Sequence, residues 1–127
     1  MRFVIDGGHF EDLDGFYAEV SKELLDGAYW GRNLDAFDDI LYGDMGQVPG
    51  GDIEITFVWR NSARSRRDLG AAETARWLRA GLDRIHPSGR SEWERRLAAA
   101  ERQEGETLFD TLVEIIRSHQ NIVLLLE

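Results

Sequence analysis

The chain contains no cysteine, which removes disulfides, zinc–thiolate sites and thiol nucleophiles together. No apolar run approaches the roughly 18 residues of a membrane-spanning helix. The opening Met1-Arg2-Phe3-Val4-Ile5-Asp6 meets an acid too soon for a signal peptide. The expectation is a soluble, cytoplasmic protein with no membrane association. Basic residues are scarce in the first half. Residues 1–59 hold 13 acids against three bases (Arg2, Lys22, Arg32), a balance of −10, whereas residues 60–127 hold 11 acids against 12 bases, a balance of +1, so the net charge of −9 belongs to the first half. Binding nucleic acid requires clustered Lys and Arg to neutralise phosphates, and this field has the opposite sign. Such a chain repels RNA and attracts proteins that bind RNA. Also missing are a Gly-x-Ser-x-Gly elbow, a P-loop and a dinucleotide fingerprint.

What remains is a globular composition. With 127 residues, 43% hydrophobic and 31% charged, residues 1–127 fit one domain with a real core. Arg2–Ile5 reads as a short buried strand ended by Asp6-Gly7-Gly8. His9, next in line, has no partner nearby in sequence and reads as a loop histidine. Leu13, Phe16, Tyr17, Val20 and Leu24 recur at helical spacing within Glu11–Leu25, with Gly27 placed to stop that helix. After a Gly-rich loop, Ile53–Trp59 is the strongest strand by β-branched and aromatic content. A last helix with the face Leu108, Leu112, Ile115 and Ile116 leads into the apolar run Asn121–Leu126. Unbroken apolar strands suggest cover on both faces, as in parallel sheets joined by helices. The predicted fold is α/β: three short parallel strands with right-handed helical crossovers.

Between these parts, Ala71–Ile85 and Ser91–Arg102 read as two helices separated by His86-Pro87-Ser88-Gly89, with Ser91 and Glu94 forming a capping-box pattern. Arg64, Arg66 and Arg67 read as a solvated helix face paired with local acids.

The most informative stretch is Tyr29–Leu41. Asn33 is a preferred N-cap, Gly31 before it permits a tight approach, and a helix over Leu34–Tyr42 follows. At about 100° per residue, Leu34, Phe37, Ile40 and Leu41 share one side, while Asp35, Asp39 and Tyr42 share the other and Asp38 falls at the margin. Asp35 and Asp39 form an i,i+4 like-charge pair, and Asp38 and Asp39 lie where the helix dipole disfavours anions. Local rules are broken most often at functional sites. Asp35, Asp38 and Asp39 have spacing that suits magnesium with substrate phosphates, but such enzymes need a second ligand cluster, and no obvious one is present. Two carboxylates on exposed positions have nothing to separate their pKa values for acid–base hydrolysis. His9, His86 and His119 lack metal-ligand spacing, and His119 is explained by the dipole of the last helix. No metal and no cofactor is therefore expected.

Glu23-Leu24-Leu25 leading into Tyr29-Trp30-Gly31-Arg32-Asn33-Leu34-Asp35-Ala36, with Asp39 four residues after Asp35, resembles the signature of the barstar family of intracellular ribonuclease inhibitors. A strand ending in Trp59-Arg60 and Glu106-Thr107 opening the last helix agree with it. The resemblance covers roughly residues 1–69 and 105–127, leaving about residues 70–104 as a helical insertion. It implies a barstar-like fold and no enzymatic activity. It also implies one-to-one blockade of a secreted guanyl-preferring ribonuclease, or a related basic nuclease toxin, by the acidic helix. Barstar plugs the cleft of barnase in this way, a carboxylate standing where RNA phosphate would. By matching position, Asp39 would occupy the phosphate subsite and Asp35 would meet basic groups beside it. Tyr29, Gly31, Asn33 and Gly43 would line the contact, and Glu106 aligns with an acidic contact residue. With Trp30, Asp38 and Tyr42 these make up the candidate partner-binding surface. Barstar has tryptophan where this chain has Asp38 and Asp44, which points to a partner with more exposed arginine. Two other readings stand beside this one: a metal-dependent phosphoryl-transfer enzyme, and a barstar-like module for a partner that is not a nuclease.

Overall fold

Short apolar strands alternating with amphipathic helices need a common face to bury, and a parallel sheet with helical crossovers supplies one. In the computed structural model, which describes residues 1–43 and 46–127, β1 (Arg2–Asp6), β2 (Ile55–Arg60) and β3 (Ile122–Leu126) form a sheet in the order β1-β2-β3. Both pairings are parallel, with Phe3 opposite Phe57, Ile5 opposite Trp59, and Trp59 opposite Leu126. The helices are α1 (Leu13–Leu24), α2 (Leu34–Tyr42), α3 (Ser62–Asp68), α4 (Ala71–Gly81), α5 (Arg90–Glu101) and α6 (Leu108–Arg117). The three-stranded parallel α/β fold expected from the sequence is present. Among the described residues no helix is long and apolar enough to cross a membrane.

Successive side chains alternate across a strand, so the register decides which residues share a face. Phe3, Ile5, Ile55, Phe57, Trp59 and Ile122 enter one core with Phe16 and Leu24 of α1, Phe37, Ile40 and Leu41 of α2, and Leu112 and Ile116 of α6. Phe16 is central, its ring 5.4 Å from that of Trp59 and 5.2 Å from that of Phe37. That contact fixes the rotation of α2, because an aromatic side chain from its middle is locked into the core. The other strand face differs from expectation. Val58 is buried between its neighbours, but Val123 and Leu125 of the edge strand are 46% and 42% exposed, so this face of β3 is not covered. An apolar run alone does not distinguish a strand buried on both faces from an edge strand with one open row.

Helices α4 and α5 pack on each other around Ala75, Leu78 and Ala100, with Trp77, Trp93 and Leu97 against them. The Trp93 indole donates to the Leu78 carbonyl at 2.6 Å. Two polar side chains of α4 tie this hairpin to the rest. The Glu73 carboxylate accepts from the Leu13 amide, the first residue of α1, at 2.8 Å, and the Thr74 hydroxyl accepts from the Leu108 amide, the first of α6, also at 2.8 Å. Each satisfies a donor that a helix N-terminus leaves unpaired. Burial pushes the Glu73 carboxyl up, but the Arg76 guanidinium and the Leu13 amide outweigh it and hold the group below the usual carboxylate range. The capping box expected at Ser91 does not form. Helix α5 starts at Arg90 with Gly89 as an uncapped N-cap, and Glu94 pairs instead with Arg90 at 2.8 Å. The capping box occurs at Thr107 and Asp110 of α6.

Candidate partner-binding site

The Asn33 side chain accepts from the Ala36 amide at 2.8 Å and starts α2 where the sequence places it. At the other end Gly43 adopts φ +92° and closes the helix, and a Cβ there would come within 2.6 Å of the Gly50 backbone. Only glycine fits that position, so Gly43 has a structural reason to be present whatever it contacts. Between these caps, Phe37, Ile40 and Leu41 are buried, while Asp35, Asp39 and Tyr42 are exposed and Asp38 is intermediate. The faces fall as periodicity predicts. Among the described residues no basic group lies within ion-pairing distance of Asp35 or Asp39. The repulsion between them is therefore uncompensated inside the protein, at a cost of a few tenths of a kcal/mol.

The loop before α2 adds Tyr29, which is 88% exposed, and the exposed Gly31, Arg32 and Asn33. Trp30 departs from the expected contact surface. Its side chain is buried, 3% exposed, and meets the Tyr17 ring edge-on at 5.3 Å. It anchors the loop to α1 and does not itself face outward.

Asp38 and His119 also read differently in three dimensions. His119, two residues after the end of α6, is buried, and its Nε2 lies 2.7 Å from Asp38 Oδ1. Its imidazole stands edge-on to the Tyr42 ring at 4.5 Å. The histidine is thus a buried partner that joins α2 to the segment between α6 and β3, a role its position near a helix end did not suggest. Eighty-one residues separate the pair, and no local pattern signals such a contact. His9 likewise has a partner: its Nδ1 lies 3.0 Å from the buried Glu19 carboxylate, which also accepts from the Asp6 amide at 2.9 Å.

Glu106 precedes α6 and is exposed. Its carboxyl is raised above the usual range, first by desolvation and then by the hydrogen bond and repulsion from Glu114, against which the Thr111 hydroxyl and Arg96 act. Asp44 lies outside the described residues.

A feature that sequence reading missed adjoins the N-terminus of α2. An open cleft of about 770 Å³ separates Asn33, Leu34 and Asp35 from Trp77, Arg84, Ile85 and Trp93, with Tyr17 and Arg32 also lining it. The only sequence signal was the pair of tryptophans in the two helices of residues 70–104.

A short parallel sheet thus locks α2 into the core by one face and leaves Asp35 and Asp39 on the other without an ion-pair partner among the described residues. The family profile described as "Barstar (barnase inhibitor)" matches residues 1–96, and the chain belongs to the barstar family. It is 33% identical over 70 residues to "Putative ribonuclease inhibitor YrdF" of Bacillus subtilis (strain 168), an alignment covering 55% of this chain and 70% of that protein. No solved structure matches the chain. The profile match runs through α4 and into α5, and ends before α6 and β3.

Proposed function

We propose that this protein binds and blocks the active site of a secreted guanyl-preferring ribonuclease, or of a related basic nuclease toxin, one to one. It acts as a cytoplasmic immunity partner and has no catalytic role of its own. The observation that carries this reading is the Asp35–Asp39 flank of α2, two exposed carboxylates that no base answers among the described residues. Asp39 takes the place of a scissile phosphate among the enzyme's basic groups, Asp35 meets the bases beside it, and Tyr29, Gly31, Asn33, Tyr42 and Glu106 border the contact. Membership of a family of barnase inhibitors supports a ribonuclease as the partner. Asp38 stands where barstar has tryptophan, and its hydrogen bond to His119 makes it less available to a partner than its neighbours.

A metal-dependent phosphoryl-transfer enzyme would need further ligands close to these aspartates. Membership of a family of barnase inhibitors favours the inhibitor reading over that one. The test is RNA cleavage by secreted guanyl-preferring ribonucleases, barnase among them, with and without this protein. Suppression at equimolar protein is the expected result. Magnesium-dependent cleavage by the protein alone, or full nuclease activity in its presence, would overturn the reading in favour of an enzyme or of a module for another partner.

A further inference from the structure

We propose that the cleft between the α2 N-terminus and the α4–α5 hairpin is a second docking subsite, which takes a surface segment of the same ribonuclease carrying an apolar or aromatic side chain next to a carboxylate. This rests on the reading of α2 as the inhibitory helix. Continuity gives the first argument. Asn33 and Asp35 belong both to the first turn of α2 and to the wall of the cleft, so a partner seated on Asp35 lies over the opening. Chemistry gives the second. The hairpin side presents the half-buried rings of Trp77 and Trp93, 5.1 Å apart, with Ile85. These surfaces are packed on one side only and suit an inserted apolar side chain.

Charge completes the argument. Arg32 and Arg84 line the same cleft, are exposed, and have no carboxylate within ion-pairing distance among the described residues. Arg32 is one of only three bases in residues 1–59, and it is held at φ 50°, a left-handed conformation that costs a non-glycine residue energy. An exposed base without an ion-pair partner among the described residues, beside an acidic helix, suits a carboxylate of the occupant. The acidic flank then meets the catalytic bases that ribonucleases of this class share, while the cleft reads the surface bordering them. In that division of labour the hairpin sets which ribonuclease is inhibited.

The test compares the wild-type protein with Arg32→Glu/Arg84→Glu, with Ala80→Trp, which places a large side chain into the cleft, and with Asp39→Ala. Binding kinetics are measured against a panel of secreted guanyl-preferring ribonucleases including barnase, with thermal unfolding as the control for folding. Charge reversal makes the protein more acidic, so electrostatic steering alone would speed association and tighten binding to a basic enzyme. The cleft proposal requires the opposite: at least tenfold weaker binding to the tightest-bound member, mainly through faster dissociation, and an altered order of preference across the panel, with Tm unchanged. Ala80→Trp gives the same loss without a change of charge. Wild-type affinity in both cleft variants, with Asp39→Ala still defective, overturns the subsite and leaves the inhibitory helix standing. Absence of binding to every ribonuclease overturns both. Binding of a short single-stranded RNA that is lost in Arg32→Glu/Arg84→Glu would assign the cleft to a nucleotide and refute a protein occupant.

Discussion

Alanine substitutions at Asp38 and Asp39, adjacent in sequence, should have opposite consequences. Asp39 is exposed and unpaired, and it repels Asp35 one turn earlier near the negative end of the helix dipole. Removing it relieves a few tenths of a kcal/mol of pair repulsion and a similar dipole cost. Asp39→Ala should therefore raise stability by up to about 1 kcal/mol, or about 4 °C in Tm for a domain of this size. Asp38 instead holds the buried His119 at 2.7 Å, and truncating it strands a buried imidazole nitrogen. That loss costs about 1–3 kcal/mol, with the lower half of the range expected because Asp38 is itself partly exposed. In a complex the ranking reverses. Asp39→Ala strands desolvated bases of the enzyme and should cost at least about 2 kcal/mol, roughly thirtyfold in affinity. Asp35→Ala should cost less, and Asp38→Ala least. Thermal unfolding and ribonuclease binding of the three variants, measured side by side, check this. Equal binding losses at Asp38 and Asp39, or a fall in Tm at Asp39 with none at Asp38, would show that the wrong face of α2 has been assigned.

Because the net negative charge lies in the first half of the chain, association with a basic ribonuclease should slow steeply as salt rises while dissociation changes little; stopped-flow measurements reporting a salt-independent on-rate would remove steering from the account. Burial and the neighbouring Glu114 raise the Glu106 carboxyl. A group raised on folding contributes stability below its unfolded value and loses it as pH rises through the folded one. Glu114→Gln should accordingly raise Tm at pH 7, and the gain should fade as pH falls and Glu106, with its raised affinity for a proton, becomes neutral. Glu73→Ala leaves the Leu13 amide without its acceptor and should cost about 1–3 kcal/mol in urea unfolding at neutral pH. The Glu73 carboxyl is held below its usual range, so its contribution is lost as pH falls through that lowered value, and the gap between variant and wild type should narrow in acid.

The parts of this fold written in local chemistry were legible in the sequence. Asn33 as cap, the stripe of Leu34, Phe37, Ile40 and Leu41, and the exposed pair Asp35 and Asp39 need only a helical period to be read, and α2 runs from Leu34 to Tyr42 as expected. The contacts between distant segments were not legible. Asp38 with His119 and Glu73 with Leu13 join residues 81 and 60 positions apart, and Trp30 turns inward because Tyr17 of another helix receives it. Ser91 illustrates a local rule overridden locally: the Arg90–Glu94 pair occupies the glutamate that a capping box would have used. The open row of β3 was hidden because an apolar residue is written the same way whether or not another layer covers it.

The central claim is that the two unpaired carboxylates of α2 block a ribonuclease, and the most direct measurement titrates a susceptible enzyme with the wild-type protein and with Asp35→Ala/Asp39→Ala. The prediction is that wild-type protein abolishes RNA cleavage at one equivalent, while the double variant, folded and at least as heat-stable, leaves cleavage intact at the same concentration. Equal inhibition by a folded double variant would contradict the account.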